Sequence, residues 1–229
     1  MTGGEGPHSY AQNSSFRGEV FEANKKLIEE AIVKNFDPMT YIGPTNVIRI
    51  ADLGCSTGPN AIKLSAHQIP EFHVFFNDQV SNNFNTFFKQ LPPNRNYFAS
   101  GVPGSFLGRL FPKKTLHFVH SSSTLHWLSR VPKEIADRSC SAFNKGRSHH
   151  VNAPKEVEDA YLAQYRADLE NFLHARAQEL VSNGLMALQI ATVPDVILES
   201  DIHPSRAYEL LGSTLMDMAR VVIEKPLTV

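Results

Sequence analysis

The chain has 229 residues, 42% of them hydrophobic and 20% charged, with a formal net charge of -1. That length allows one α/β domain with a substantial core, and the composition is that of an ordinary globular protein. Near-neutral charge excludes a dedicated nucleic-acid binder, which would carry a basic stripe, and no run approaches the roughly 18 apolar residues of a membrane span.

The cysteines are Cys55 and Cys140 only. With no disulfide framework and no apolar core for a signal peptide in the first residues, the expected setting is reducing and cytoplasmic.

In chain order, Gly3-Gly4-Glu5-Gly6-Pro7 cannot start a helix. Ser14 or Ser15 can cap the next element. Glu19 to Asn35 reads as an amphipathic helix, with Val20, Phe21, Leu27, Ala31 and Ile32 near helical spacing. Asp37 to Pro44 reads as a loop and Val47 to Ala51 as the first strand. Ala61 to Gln68 reads as a short helix stopped by Pro70. Phe72 to Phe76 is a buried strand ending at Asn77-Asp78, and Phe84 to Lys89 begins a helix broken by Pro92-Pro93. Tyr97 to Val102 reads as an irregular strand and Leu116 to His120 as a further one. Pro154 to Leu180 is a long helix, with Val157, Tyr161, Tyr165, Leu169, Phe172 and Leu173 spaced for one face. Asn183-Gly184 offers the left-handed cap that would end it. Leu185 to Thr192 reads as a strand and Tyr208 to Val222 as the last helix. Alternating strands and helices predict a parallel, doubly wound α/β sheet in a single domain over residues 1–229.

The richest segment is Ile48-Arg49-Ile50-Ala51-Asp52-Leu53-Gly54-Cys55-Ser56-Thr57-Gly58-Pro59-Asn60. An apolar strand ends in Asp52 and passes into a glycine turn at the carboxyl end, where open α/β sheets bind ligands. Gly54 lets a ligand approach the backbone, and Gly58 frees the following turn. The spacing D-x-G-x-x-x-G is neither the dinucleotide fingerprint nor a phosphate loop, which disfavours a dinucleotide oxidoreductase. A glycine turn with no phosphate cradle suits a nucleoside such as S-adenosylmethionine; the same turn also occurs with no ligand at all.

Five segments then matter together: Ser9-Tyr10-Ala11-Gln12-Asn13-Ser14, the glycine turn, Asn77-Asp78, Gly101 to Pro112, and His120 to Pro132. This set resembles the SABATH family of plant S-adenosylmethionine-dependent carboxyl methyltransferases, along almost the whole chain. The resemblance implies a class I, Rossmann-like methyltransferase core with a helical cap. It places Tyr10, Gly54, Cys55, Asn60, Asp78, Gln79, Ser105 and Phe106 around the cofactor, with Asp52 beside them. Asp78 matches the residue that grips the ribose hydroxyls, as a carboxylate suits two hydroxyl donors; capping the next helix is its other use. Ser105 and Phe106 would meet the adenine, although Phe106 also reads as plain core. Trp127 and His126 match positions that shape the acceptor pocket, with a buried aromatic and a structural histidine as the other readings. The pair His149-His150 lacks metal-ligand spacing and reads as loop. Asn144, in Asn144-Lys145-Gly146, matches the first ligand of an Mg2+ site found in some relatives. Family dimers make a homodimer the expected assembly, and the expected partner is a small-molecule carboxylate.

The chain also departs from the pattern. Arg17 stands where the family has a glutamine that holds the substrate carboxylate; an arginine can pair with that group bidentately. Ser123 replaces a tyrosine, and the stretch before the second strand is short. Relatives continue past Val229 through further strands and most of the cap, so the chain reads as a C-terminally truncated member, with later metal ligands missing. The expected activity is methyl transfer to the carboxylate of a small metabolite. No general base is needed, since the carboxylate is ionised at neutral pH. The other reading is a catalytically silent cofactor-binding or dimer-partner protein.

Overall fold

The computed structural model describes residues 26–41, 46–56, 71–144, 147, 150, 152–190, 192 and 203–224. Tyr10, Arg17, Asn60, Gly58 and the expected helix from Ala61 to Gln68 lie outside them.

Residues 26–35 are helical (α1) and a 3-10 turn follows at Pro38–Tyr41. Strand β1 spans Val47–Leu53 and β2 spans Glu71–Asp78. Helix α2 is Phe84–Gln90, β3 is Phe98–Pro103 and β4 is Leu116–Ser122. A second 3-10 turn at Lys133–Ile135 precedes α3 at Lys155–Glu179, β5 at Leu180–Gln189 and α4 at His203–Glu224.

The sheet order is β3-β2-β1-β4-β5, and every pairing is parallel. The order turns back between β1 and β4, so a topological switch point sits at their carboxyl ends. A parallel sheet needs cover on both faces, and two apolar clusters supply it. One gathers Phe36, Ile48, Ile50, Val74, Phe76, Phe87 and Phe118; the other gathers Ala51, Leu53, Phe111, Leu116, Val119 and Phe172. Ile48 and Ile50 join the first cluster, and Ala51 and Leu53 join the second. The chain divides into two compact units: residues up to Trp127 with Asp168–Ile190, and Leu128–Ala167 with Ala191 onward.

Several boundaries differ from the sequence reading: β5 runs over Leu180–Gln189 against the expected Leu185 to Thr192, and α4 over His203–Glu224 against the expected Tyr208 to Val222. The long helix stops at Glu179 rather than at Asn183-Gly184, because Leu180 already pairs with Leu116. Asn183 does take a left-handed φ of 63°, but within a bulge where the pairing jumps from Leu116–Leu180 to Phe118–Leu185. The residue thus serves a strand irregularity instead of a helix cap. Likewise α2 is capped by Asn83, whose side chain accepts the Thr86 N–H at 3.0 Å, which removes the capping alternative for Asp78.

Two imidazoles of this sheet, His73 on β2 and His117 on β4, bear on its stability. His117 Nδ1 accepts the Arg49 backbone N–H at 2.9 Å, and His73 Nε2 lies 2.8 Å from Ser100 Oγ. Burial, then the charge of Arg49, holds both below the ordinary imidazole range. The folded protein therefore resists their protonation while the unfolded chain accepts it below about 6.5. Stability should be full above that value and fall as pH drops below it. Urea midpoints between pH 7.5 and 5.5 check this, and His117→Asn, which keeps an acceptor but cannot titrate, should flatten part of the decline.

Candidate cofactor site

The site is assembled where β1, β2 and β3 end. After Leu53 the chain turns through Gly54 at φ 82°, and both Gly54 N–H and Cys55 N–H donate to the Asn77 carbonyl, at 2.8 and 2.9 Å. Ser56, at φ 56°, donates its N–H to Asp78 Oδ2 at 2.6 Å. The Asn82 side chain donates to the Ser56 carbonyl at 2.9 Å. The other oxygen of Asp78 accepts the Gln79 N–H at 2.7 Å. Thus β2 and the loop after it hold the glycine turn by successive main-chain groups, and Asp78 is fixed at its mouth.

The space beside Gly54 is occupied by protein. A Cβ there would stand 2.2 Å from Thr124 Cγ2, so the glycine admits the loop after β4. Thr124 Oγ1 lies 2.6 Å from Ser121 Oγ, and both hydroxyls reach the Leu53 carbonyl at 3.4 and 3.3 Å. Cys55 is buried, and burial together with the Asp52 and Asp78 carboxylates pushes its thiol upward. It stays a thiol and is no nucleophile.

Asp52 and His120 are register partners on β1 and β4. His120 Nδ1 lies 2.7 Å from Asp52 Oδ1, with both side chains under 5% exposed. A carboxylate acceptor requires the proton on Nδ1. The imidazole also borders a cavity of about 320 Å³ between α1 and β5, walled by Ile28, Ile32, Leu185 and Leu188.

Beyond β3, Asn77 Nδ2 donates to the Val102 and Gly104 carbonyls at 2.7 and 2.9 Å, and Gly104 N–H donates to the Asp78 carbonyl at 2.9 Å. Ser105 then stands exposed. Phe106 turns inward, edge to face with Phe172 at 6.1 Å between ring centres.

At the end of the loop after β4, Trp127 is 53% exposed and His126 lies beside it, ring centres 5.4 Å apart. Trp127 is therefore no core aromatic. Asn144 belongs to the second unit, buried, its N–H donating to the Ile135 carbonyl at 3.1 Å and its carbonyl accepting the Arg147 N–H at 2.8 Å. Among the described residues no group of three or more His, Cys, Asp or Glu side chains could hold a metal. One amide does not make a magnesium site, which takes several oxygen ligands.

The structure thus brings Asp52, Gly54, Cys55, Asp78, Gln79 and Ser105 to neighbouring strand ends. Sequence reading named Asn77 and His120 within their segments without giving either a role, and it missed Asn82. His120 carried one signal, its place at the end of a strand that must neighbour β1.

A parallel 3-2-1-4-5 sheet, with an acidic strand end and glycine turn at its switch point, defines a class I, Rossmann-like methyltransferase fold. The profile of the SAM dependent carboxyl methyltransferase family matches residues 1–226. The chain belongs to that family, the SABATH group. It is 47% identical to loganic acid O-methyltransferase of Catharanthus roseus, over 95% of this chain and 63% of that relative. It is 44% identical to farnesoic acid carboxyl-O-methyltransferase of Arabidopsis thaliana, over 96% of this chain and 66% of that relative. A solved structure of loganic acid methyltransferase with SAH superimposes with a TM-score of 0.87 at 44% identity, covering 97% of this chain and 68% of that one. The chain therefore spans about two thirds of the length of these relatives. No helix among the described residues is long and apolar enough to cross a membrane.

Gly54→Ala should destabilise the protein by at least about 2 kcal/mol, from overpacking and positive φ together. Thr124→Ser removes the methyl group in the way and keeps the hydroxyl. The double variant should regain part of the loss, and a double-mutant cycle in urea reads that coupling.

Proposed function

We propose that this chain binds S-adenosylmethionine at the ends of β1 to β3 and directs its methyl group to the carboxylate of a small plant metabolite. The observation that carries this reading is the glycine turn bonded to the Asn77 carbonyl and the Asp78 carboxylate at once. It fixes an acidic group and the turn after β1 together at one strand end. Family membership and the S-adenosylhomocysteine-bound relative support it.

The residues present fit that cofactor. Asp78, held by two N–H groups, would accept the ribose hydroxyls. Ser105, exposed beyond β3, would offer a polar contact to the adenine, and Asp52 an acceptor near β4. When bound, S-adenosylmethionine supplies an electrophilic methyl group. The chain's contribution is to orient the reactants and keep water out. The indole N–H of Trp127, a donor with no acceptor, would hold the acceptor carboxylate, with His126 shaping the same pocket. Arg17 would bind that carboxylate too. Asn144 would offer magnesium one amide oxygen, and the described residues hold no group of three or more His, Cys, Asp or Glu side chains to complete a site.

We further place the protein in the cytoplasm, since both cysteines are free. We infer a homodimer from the family, and Tyr208, Leu211, Leu215 and Met218 share one exposed face of α4 that could support it. Light scattering of the purified protein checks that assembly.

Calorimetry with S-adenosylhomocysteine tests the cofactor reading. The wild-type protein should bind, and Asp78→Asn, which replaces an acceptor oxygen by a donor, should weaken binding at least about tenfold. Labelled S-adenosylmethionine with a panel of small carboxylic acids should give a methyl ester. A folded protein that binds the cofactor but methylates none of them would instead be a silent cofactor-binding member.

A further inference from the structure

The largest buried charged group in the described residues stands outside the motifs above. Arg176 and Glu179, one turn apart near the end of α3, are both fully buried. Arg176 Nε donates to Glu179 Oε2 at 2.8 Å, its Nη1 to the Phe106 carbonyl at 2.7 Å, and its Nη2 to the Gly108 carbonyl at 2.9 Å. The guanidinium also lies 5.1 Å from the centre of the Phe172 ring. Glu179 Oε1 accepts the Leu110 N–H at 2.5 Å and the Phe111 N–H at 2.9 Å. These outward bonds of the two side chains all end on the main chain of one segment, residues 106–111.

An ion pair removed from water is costly, and an apolar pair of similar volume often serves stability as well or better. What apolar residues cannot do is fix four main-chain groups of an irregular segment in position. That segment follows β3, where the proposed function puts the adenine. Its entry is anchored by Gly104, hung from the Asp78 carbonyl and from Asn77 Nδ2. Its exit is anchored by the Arg176–Glu179 pair. Exposed Ser105 lies between the anchors, and its hydroxyl accepts the Leu107 N–H at 3.4 Å.

We infer that Arg176 and Glu179 are positioning residues that set base recognition: through the 106–111 main chain they hold Ser105 and its neighbours in register with the edge of a purine. This rests on the reading that the crevice binds S-adenosylmethionine. Lysine cannot replace Arg176, because a point charge cannot serve two carbonyls and a carboxylate in a fixed fork.

The test compares S-adenosylhomocysteine with S-inosylhomocysteine, which carries a 6-oxo group in place of the 6-amino group. Wild type should prefer the adenine ligand. Arg176→Lys and Glu179→Gln should compress that preference by about tenfold, the scale of a lost hydrogen bond, beyond any fall in melting temperature. A lower melting temperature with an unchanged preference would overturn the inference and leave the pair a structural one. Should both variants fail to fold, Glu179→Asp, which keeps the charge but withdraws it from the Leu110 and Phe111 N–H groups, decides: a compressed preference supports the inference and an unchanged one overturns it. If wild type binds neither ligand, the cofactor reading has failed before the positioning of its base is in question.

Discussion

Asn77 is the residue on which the site depends. It lies at the end of β2, fully buried, between the ends of β1 and β3. Its carbonyl accepts two N–H groups from the turn after β1, and its side-chain amide donates to two carbonyls at the end of β3. A buried main-chain group without a partner costs about 1–3 kcal/mol. Four main-chain groups, buried or partly buried, are satisfied here by one residue, two by its carbonyl and two by its side-chain amide. Neither aspartate nor leucine could substitute, since the first lacks donors and the second lacks any polar atom. The ladder of a parallel sheet ends where the strands end; Asn77 extends that order into the loops that a ligand would touch.

Around this hub, residues assigned to the cofactor also carry structure. Asp78 holds Ser56 and Gln79 and, through its carbonyl, Gly104. Gly54 makes room for Thr124. Phe106, expected beside adenine, is packed against Phe172 in the core. Preorganisation of this kind lowers the cost of ordering a site when a ligand arrives. It also means that truncation to alanine confuses two roles, so variants that keep shape and change one donor or acceptor are the informative ones.

Much of the architecture was legible in the sequence. The strands read from apolar runs at Val47 to Ala51, Phe72 to Phe76 and Leu116 to His120 lie inside β1, β2 and β4, which run a little longer. The switch-point turn follows from Asp52 and Gly54. The Asp52–His120 bond and the Arg176–Glu179 contacts were not legible, for a common reason. Their partners lie 68 to 70 residues apart, and local periodicity describes a face without naming what meets it. On α3 the apolar stripe located Val157 and Phe172 correctly as buried, but Leu173, one step round the helix from Phe172, is exposed. The same stripe gave no sign that its last turn buries an arginine and a glutamate, because charged residues break the pattern that periodicity detects. The end of α3 was misplaced because Asn183 has the same left-handed preference in a bulge as in a cap.

Two buried polar pairs divide the crevice between them. Asp52–His120 crosses from β1 to β4 at the switch point, while Arg176–Glu179 reaches from α3 to the loop after β3. Asp78 stands between those ends, on β2. A nucleoside with an amino-acid tail is a long ligand whose ends differ in chemistry. A sheet whose adjacent strands lie about 4.8 Å apart presents its successive ends as a ruler for such a molecule. The polar groups needed to read each part cannot be held rigidly by apolar packing alone, because packing is non-directional. Buried charge–charge and charge–backbone bonds supply the direction. That is a physical reason for this sheet to bury an imidazole, a guanidinium and two carboxylates in Asp52–His120 and Arg176–Glu179, where leucines would pack at lower cost.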